Sequence, residues 1–477
     1  INSTTPAVSA SGFDDPNGIA IDSAHDRMFV SDRDNNRVLV FNLNADDTLI
    51  DDTADFVLGQ ADFNDVAAAT TSTGLDNPNG LAYWHAPSDT QYLFVADYNN
   101  SRIIAYDVGS ISNGEAAVAV IGQTSFTAAL AGSPTQTSLV NPSDVTVDSV
   151  NNRLYVNDTK NNRVLAFDIA TLTSTNMAAM AVIGQADYVT GTSGVSTTKV
   201  NEPAGLFYEA ATETLFVSDT RNNRVLTFDA STIVDGSNNV AATHVLGQSI
   251  FTSNTASTTQ SIMTNPEGLG YNPDNNMLFV AADGARVLVF DVASITDGEN
   301  AVAVIGQLNF TDGTTGSTAS ALDAPIKVFF DTTNDDLYVS DSNNNRVLKF
   351  NFVTLSTTSI SSSAQVSTAY TAPLTTASSQ GTVSYEVVSG TMPTGLSLDA
   401  TGVVGTPTVA GTYNFVVRAI DTIGSSGFRS NQQSYSIVVA AAPGGGGGGG
   451  GGSIPLCTDP LANNFNGQSI CEYDPPM

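Results

Sequence analysis

The chain has 477 residues, enough for two or three domains with cores of their own. Asp and Glu number 47 against 16 Lys and Arg, and the net charge of −31 repels nucleic acid and anionic membranes while suiting solubility and cation binding. No apolar run approaches the ~20 residues of a membrane-spanning helix. Ser, Thr, Asn, Gly and Ala are abundant, Lys is scarce, and the first residue is Ile1. These features read as a secreted surface protein from which a signal peptide has been removed.

From Gly12 to about Phe352 the chain repeats itself. "SDRDNNRVLVFN" at Ser31, "NDTKNNRVLAFD" at Asn157, "SDTRNNRVLTFD" at Ser218 and "SDSNNNRVLKFN" at Ser340 are versions of one phrase. Its arginine recurs as Arg37, Arg102, Arg163, Arg224, Arg286 and Arg346, at intervals of 60 to 65 residues. Most copies open with a turn such as "NPNG" at Asn77 or "NPEG" at Asn265. An apolar strand, the arginine strand and a stretch such as "AVAVIGQ" follow. No copy shows a helical period, and runs such as "RVLVF" are apolar on consecutive residues, which means burial on both faces. Six copies of a four-stranded sheet covered on both faces make a six-bladed β-propeller. The phrase "DxxxNRVLxF" followed by "GQ" resembles the NHL repeat, and the resemblance implies the same propeller. Two departures stand out. The fifth copy, "AADGARVLVF", lacks the Asn pair, and the sixth has no Gly-Gln after Phe350. Residues near 351–360, or another segment, are expected to supply the sixth outer strand.

Asp32, Asp97, Asp158, Asp219 and Asp341 each end the second strand, five residues before the arginine; in the fifth copy Asp283 lies three before Arg286. Asn pairs suit the left-handed residue of a tight hairpin. The Asp and Arg are read as a brace across that hairpin, worth ~0–1 kcal/mol where exposed. The alternative is a ring of arginines around an anion.

After residue 355 the composition turns to Ser and Thr. The stretch Met392 to Asp421, "MPTGLSLDATGVVGTPTVAGTYNFVVRAID", closely resembles the Ig-like domains of bacterial surface proteins. It implies a small β-sandwich with a spacer or adhesive role and no catalytic residue. Gly444 to Gly452 are nine consecutive glycines, a flexible linker in isolation. The tail resembles short cysteine-bounded motifs at the ends of secreted bacterial proteins. It carries Cys457 and Cys471, the chain's two cysteines, read as one disulfide. Asp459, Asn463, Asn464, Asn466 and Asp474 supply oxygen atoms of the kind calcium takes, but not at EF-hand spacing. The division is therefore 1–355 propeller, 356–441 sandwich, 442–453 linker and 454–477 tail.

Relatives of NHL propellers include metal-dependent lyases, and other six-bladed propellers hydrolyse lactones. A hydrolytic zinc needs about three converging ligands. His25, His85 and His244 are the only histidines, and none recurs at a channel-facing position. Asp14, Asp15, Asp144, Asp323 and Asp331 lie near blade entrances, where a carboxylate-lined mouth could take one cation. The leading expectation is a non-catalytic extracellular subunit of a surface or filamentous assembly, with no cofactor apart from the calcium idea. Its expected partners are other copies of itself, through sheet edges and the tail, and a surface glycan or protein. A ligand- or glycan-binding adhesin and a propeller enzyme of lyase or lactonase type are the alternatives.

Overall fold

The computed structural model describes residues 6–442 except 173, 378, 380, 424 and 425. The polyglycine and the cysteine tail, with Cys457, Cys471, Asp459, Asn463, Asn464, Asn466 and Asp474, lie outside the described residues.

Six antiparallel sheets succeed one another along the chain. In blade one the strands are Pro16–Asp22, Arg27–Asp32, Arg37–Asn42 and Phe56–Leu58, paired in that order. Blades two to five repeat the order, so each is built from one continuous stretch of chain. Blade six differs. It pairs Pro325–Asp331, Asp336–Asp341 and Arg346–Asn351, and no fourth strand joins them among the described residues. The expectation that 351–360 would supply that strand is corrected. Thr354–Leu355 pairs instead with Thr376–Ala377 in the following domain.

The apolar runs are explained by what lies between the blades. Each junction holds its own apolar cluster. Phe94, Ile103 and Ile121 of blade two, for example, pack against Val156, Leu165 and Phe167 of blade three. Faces that meet a neighbour on both sides demand apolar residues at successive positions. The seam between the last and first blades is filled in the same way. Tyr338 and Val347 meet Phe13, Ile19, Met28 and Phe41.

The second domain is a sandwich. One sheet orders Ser363–Gln365, Ser426–Ala440, Gly411–Ile423 and Thr382–Gly390; the other orders Tyr370–Pro373, Gly402–Gly405 and Leu396–Asp399. Tyr370, Ala372 and Val403 close against Phe415, Val417, Tyr435 and Ile437. The sandwich touches blade five, where Gln432 Nε2 donates to the Asp274 carbonyl at 2.8 Å. Just before the sandwich, Phe352 lies tilted against Phe279 of blade five and Phe330 of blade six.

Candidate functional site

The repeated hairpin is where the copies agree most closely. In five blades the Arg Nε–H donates to the Asp Oδ2 at 2.6–2.7 Å: Arg37 to Asp32, Arg102 to Asp97, Arg163 to Asp158, Arg224 to Asp219 and Arg346 to Asp341. These side chains are almost wholly buried, so the exposed-pair value is the wrong scale. Each guanidinium also donates to backbone carbonyls; Arg163 reaches those of Tyr188, Thr135 and Ser138. The carboxylate is equally committed. Asp158 Oδ1 accepts the Val140 N–H at 2.6 Å, and Oδ2 accepts Asn161 Nδ2 at 2.9 Å. Burial raises the Asp97 carboxyl to about 6, against the opposing pull of Arg102 and three hydrogen bonds. The arginines point into their own hairpins, and the ring of six for a shared anion is not formed.

Blade five breaks the pattern. Its hairpin is shorter, and Ala282, not Asp283, stands opposite Arg286, as Asp32 stands opposite Arg37. Asp283 does not pair with Arg286; its carboxylate accepts from Asn265 Nδ2 at 2.6 Å. Arg286 is fully buried with Nε unpartnered.

The two asparagines of the hairpin divide the work. The first binds the Asp. The second has positive φ (Asn36 54°, Asn162 53°, Asn223 56°, Asn345 52°) and its Oδ1 accepts a backbone N–H at the entrance of the next blade. Asn36 takes that of Asn77, Asn162 that of Glu202 and Asn223 that of Asn265. Asn345 takes that of Asp15 at 3.0 Å, so the ring closes with the latch used at three of the other joints; Ser101 and Ala285 hold this position in blades two and five. The Gln of "GQ" holds the same turn from outside. Gln60, Gln123, Gln185, Gln248 and Gln307 donate to the carbonyls of residues 36, 101, 162, 223 and 285.

The entrance turns also line the channel mouth. Their Pro-x-Gly phrase puts glycine at Gly18, Gly80, Gly205 and Gly268, but Asp144 in blade three and Lys327 in blade six. Three blades apart in a ring of six means opposite each other. Lys327 Nζ lies 2.5 Å from Asp144 Oδ2, so a buried ion pair spans the channel. The flanking glycines leave the room it needs. A Cβ on Gly80 would stand 2.1 Å from Asp144 Oδ1, and one on Gly268 would stand 2.8 Å from Lys327 Cδ.

Above the pair is a polar vestibule of about 300 Å³, lined by Asn17, Asn79, Glu202, Arg221, Glu267 and others. Below it is an apolar chamber of about 220 Å³, walled by residues such as Ile21, Tyr83, Val147 and Phe329. Burial, with Asp283 adding to it, pushes the Glu267 carboxyl up to about 8 despite Arg221 and Arg33. At neutral pH it is largely a neutral acid. Burial also raises Asp144, with Lys327 opposing.

The sequence-predicted carboxylates do not converge. Asp15 is held by Arg33 at 2.6 Å, and Asp14 and Asp323 sit at blade entrances beside it in kind. Asp331 ends the first strand of blade six, far from the mouth. Asp144 alone reaches the channel, and a lysine ammonium already stands against it. No group of three His, Cys, Asp or Glu suited to a metal ion occurs among the described residues. His25 and His85 do come together, with ring centroids 6.3 Å apart, but at the opposite end of the blades; His244 lies beside Asp297.

Comparison with known families matches an NHL repeat at residues 139–167 and the family described as "Putative Ig domain" at 351–440. The chain carries an NHL repeat within its ring of six sheets and an Ig-like domain after it. No curated protein matches it. Among solved structures, the chain is similar to a Bacteroides thetaiotaomicron protein of unknown function, at 16% identity and a TM-score of 0.46, over 73% of each chain. It is also similar to a Xanthomonas campestris gluconolactonase (16%, 0.41, 70% of this chain and 85% of that one). An auxiliary nutrient binding protein from Bacteroides thetaiotaomicron is a third (12%, 0.44, 71% and 69%). Ig-like domains of the matched family are typical of bacterial surface proteins.

Proposed function

We propose that the protein is a non-catalytic extracellular structural or interaction protein, a subunit of a cell-surface assembly. The observation that carries the reading is the third strand of blade six, Arg346–Asn351. It has no outer partner among the described residues, whereas every other blade has one. A strand edge accepts an added strand through backbone hydrogen bonds alone. The segment 443–477 of another copy is the proposed donor, since nine glycines allow close backbone approach. Light scattering and negative-stain microscopy of the full chain against a chain ending at Pro443 test this. The full chain assembles and the shortened one stays monomeric; equal behaviour refutes the reading.

The transverse Asp144–Lys327 pair weighs against the lyase or lactonase alternative, because the channel's buried carboxylate already has its counter-charge. The adhesin alternative keeps one specific support. The vestibule pairs a neutral acid, Glu267, with Arg33, Lys160 and Arg221 at its rim, a set suited to a small polar or sugar-like ligand. Glycan-array binding that is lost in Glu267→Ala would favour it.

A further inference from the structure

Blade five contains a buried cation whose partner has been removed. In the other five blades one carboxylate bridges two fixed donors. One is the Arg Nε–H. The other is a backbone N–H at the blade entrance, eighteen residues before the Asp in four blades and twenty-one in blade two: that of Asp14, Asp76, Val140, Asn201 or Asp323, at 2.6–2.8 Å. The equivalent residue in blade five is Thr264. Its carbonyl accepts the Asp283 N–H at 3.0 Å, just as the Asp14 carbonyl accepts that of Asp34. With Ala282 in place of the aspartate, neither the Thr264 N–H nor Arg286 Nε has an acceptor among the described residues. The Arg286 head is otherwise held by carbonyls only: Phe310 at 2.6 Å, Thr259 at 3.2 Å, Ile262 at 3.3 Å and Ser257 at 3.4 Å. Among the described residues no anionic side chain is paired with it.

We propose that blade five binds a halide-sized monovalent anion, chloride, between Arg286 Nε–H and the Thr264 N–H. The ion takes the place of the carboxylate that the other blades carry in their own sequence. Three observations fit it. Replacing an aspartate by alanine removes a carboxylate's volume beside the guanidinium. The turn glycine next to it leaves room for a methyl-sized group: a Cβ added to Gly284 would make ordinary contacts only, with Thr258 Cγ2 at 3.4 Å, Arg286 Nε at 3.6 Å and Gly313 Cα at 3.7 Å. Gly284 is half-buried while Asp283 and Gly313 are exposed, so only the turn separates Arg286 Nε from solvent. A buried guanidinium without a counter-ion carries a large desolvation penalty. Burial accordingly lowers Arg286 to about 10. The Asp283 carboxylate, next in sequence to Ala282, is bonded instead to Asn265.

The test has two arms. The first uses crystals of the full chain grown in bromide. An anomalous peak within hydrogen-bond reach of both N–H groups supports the site; water or the Asp283 carboxylate in that position overturns it. The second compares thermal unfolding of the full chain in sodium chloride and in sodium gluconate at equal ionic strength, gluconate being too large for the site. Chloride is expected to raise Tm by about 2–4 °C, and the Ala282→Asp variant to lose that difference. An equal chloride effect in both proteins places the ion elsewhere and refutes the assignment. If Ala282→Asp does not fold, the bromide arm decides alone.

Discussion

Replacing Arg163 by methionine separates a brace from a bystander. The substitution keeps most of the side-chain bulk and removes four hydrogen bonds: one to Asp158 and three to the carbonyls of Tyr188, Thr135 and Ser138. Asp158 stays fully buried and keeps two donors, Val140 N–H and Asn161 Nδ2, but loses its counter-charge. Breaking a buried pair from one side costs about 3–5 kcal/mol. Arg286→Met strands no carboxylate and relieves an unpaired cation. The loss of its hydrogen bonds to carbonyls is largely offset, giving about 0–2 kcal/mol. Urea unfolding in a halide-free buffer, followed by fluorescence of the single tryptophan, Trp84, reads the propeller directly, because Trp84 is buried between blades two and three. Adding Asp158→Asn to Arg163→Met recovers part of the loss. If Arg163→Met and Arg286→Met cost the same within about 1 kcal/mol, the carboxylate is not what makes the brace matter.

Lys327→Met leaves Asp144 charged and unpaired, so it costs about 3–5 kcal/mol, and Asp144→Asn in the same chain restores most of it; paired urea curves measure both. Glu267 has a folded value of about 8, above the ordinary 4.5. Between those values the unfolded chain has released a proton that the folded chain retains, so stability falls as pH rises from 4.5 to about 8 and is level outside that window. Glu267→Gln should flatten this slope in melts taken across the range. Asn345→Gly keeps the left-handed backbone but removes the acceptor for the Asp15 N–H. It costs about 0.5–1.5 kcal/mol, and hydrogen exchange at Asp15 should accelerate; unchanged exchange would show that the seam does not depend on the latch.

The propeller was legible because a blade is a local object. Its strands follow one another within about sixty residues, and a face buried on both sides writes itself as "RVLVF". The brace was legible from a constant offset, and the offset is what misled in blade five. Counting back to the nearest acid found Asp283, whereas pairing register in a shorter turn places Ala282 opposite Arg286. The channel pair was visible in principle. Two entrance turns lack the glycine, and their separation by three repeats makes them opposite. That step needs the closed ring, which no local pattern expresses. The missing outer strand of blade six was noticed as an absent Gly-Gln. Where its neighbouring segment goes depends on the sandwich, so residues 354–355 could not be placed from their own sequence.

Because no strand is shared between the first and last blades among the described residues, the ring responds to tension in a particular way. The chain enters at blade one and leaves from blade six into the sandwich, so a pull on its two ends falls on the seam. That joint resists with the cluster around Tyr338 and Phe41, the Asn345 latch and the hydrogen bond from Ser340 to the Asn17 carbonyl. None of these is a strand pair loaded in shear. The seam therefore yields first, and the blades then peel one after another. Each releases about sixty residues, or about 200 Å of extended chain. A molecule of this design, tethered at both ends on a surface, lengthens in regular steps instead of snapping.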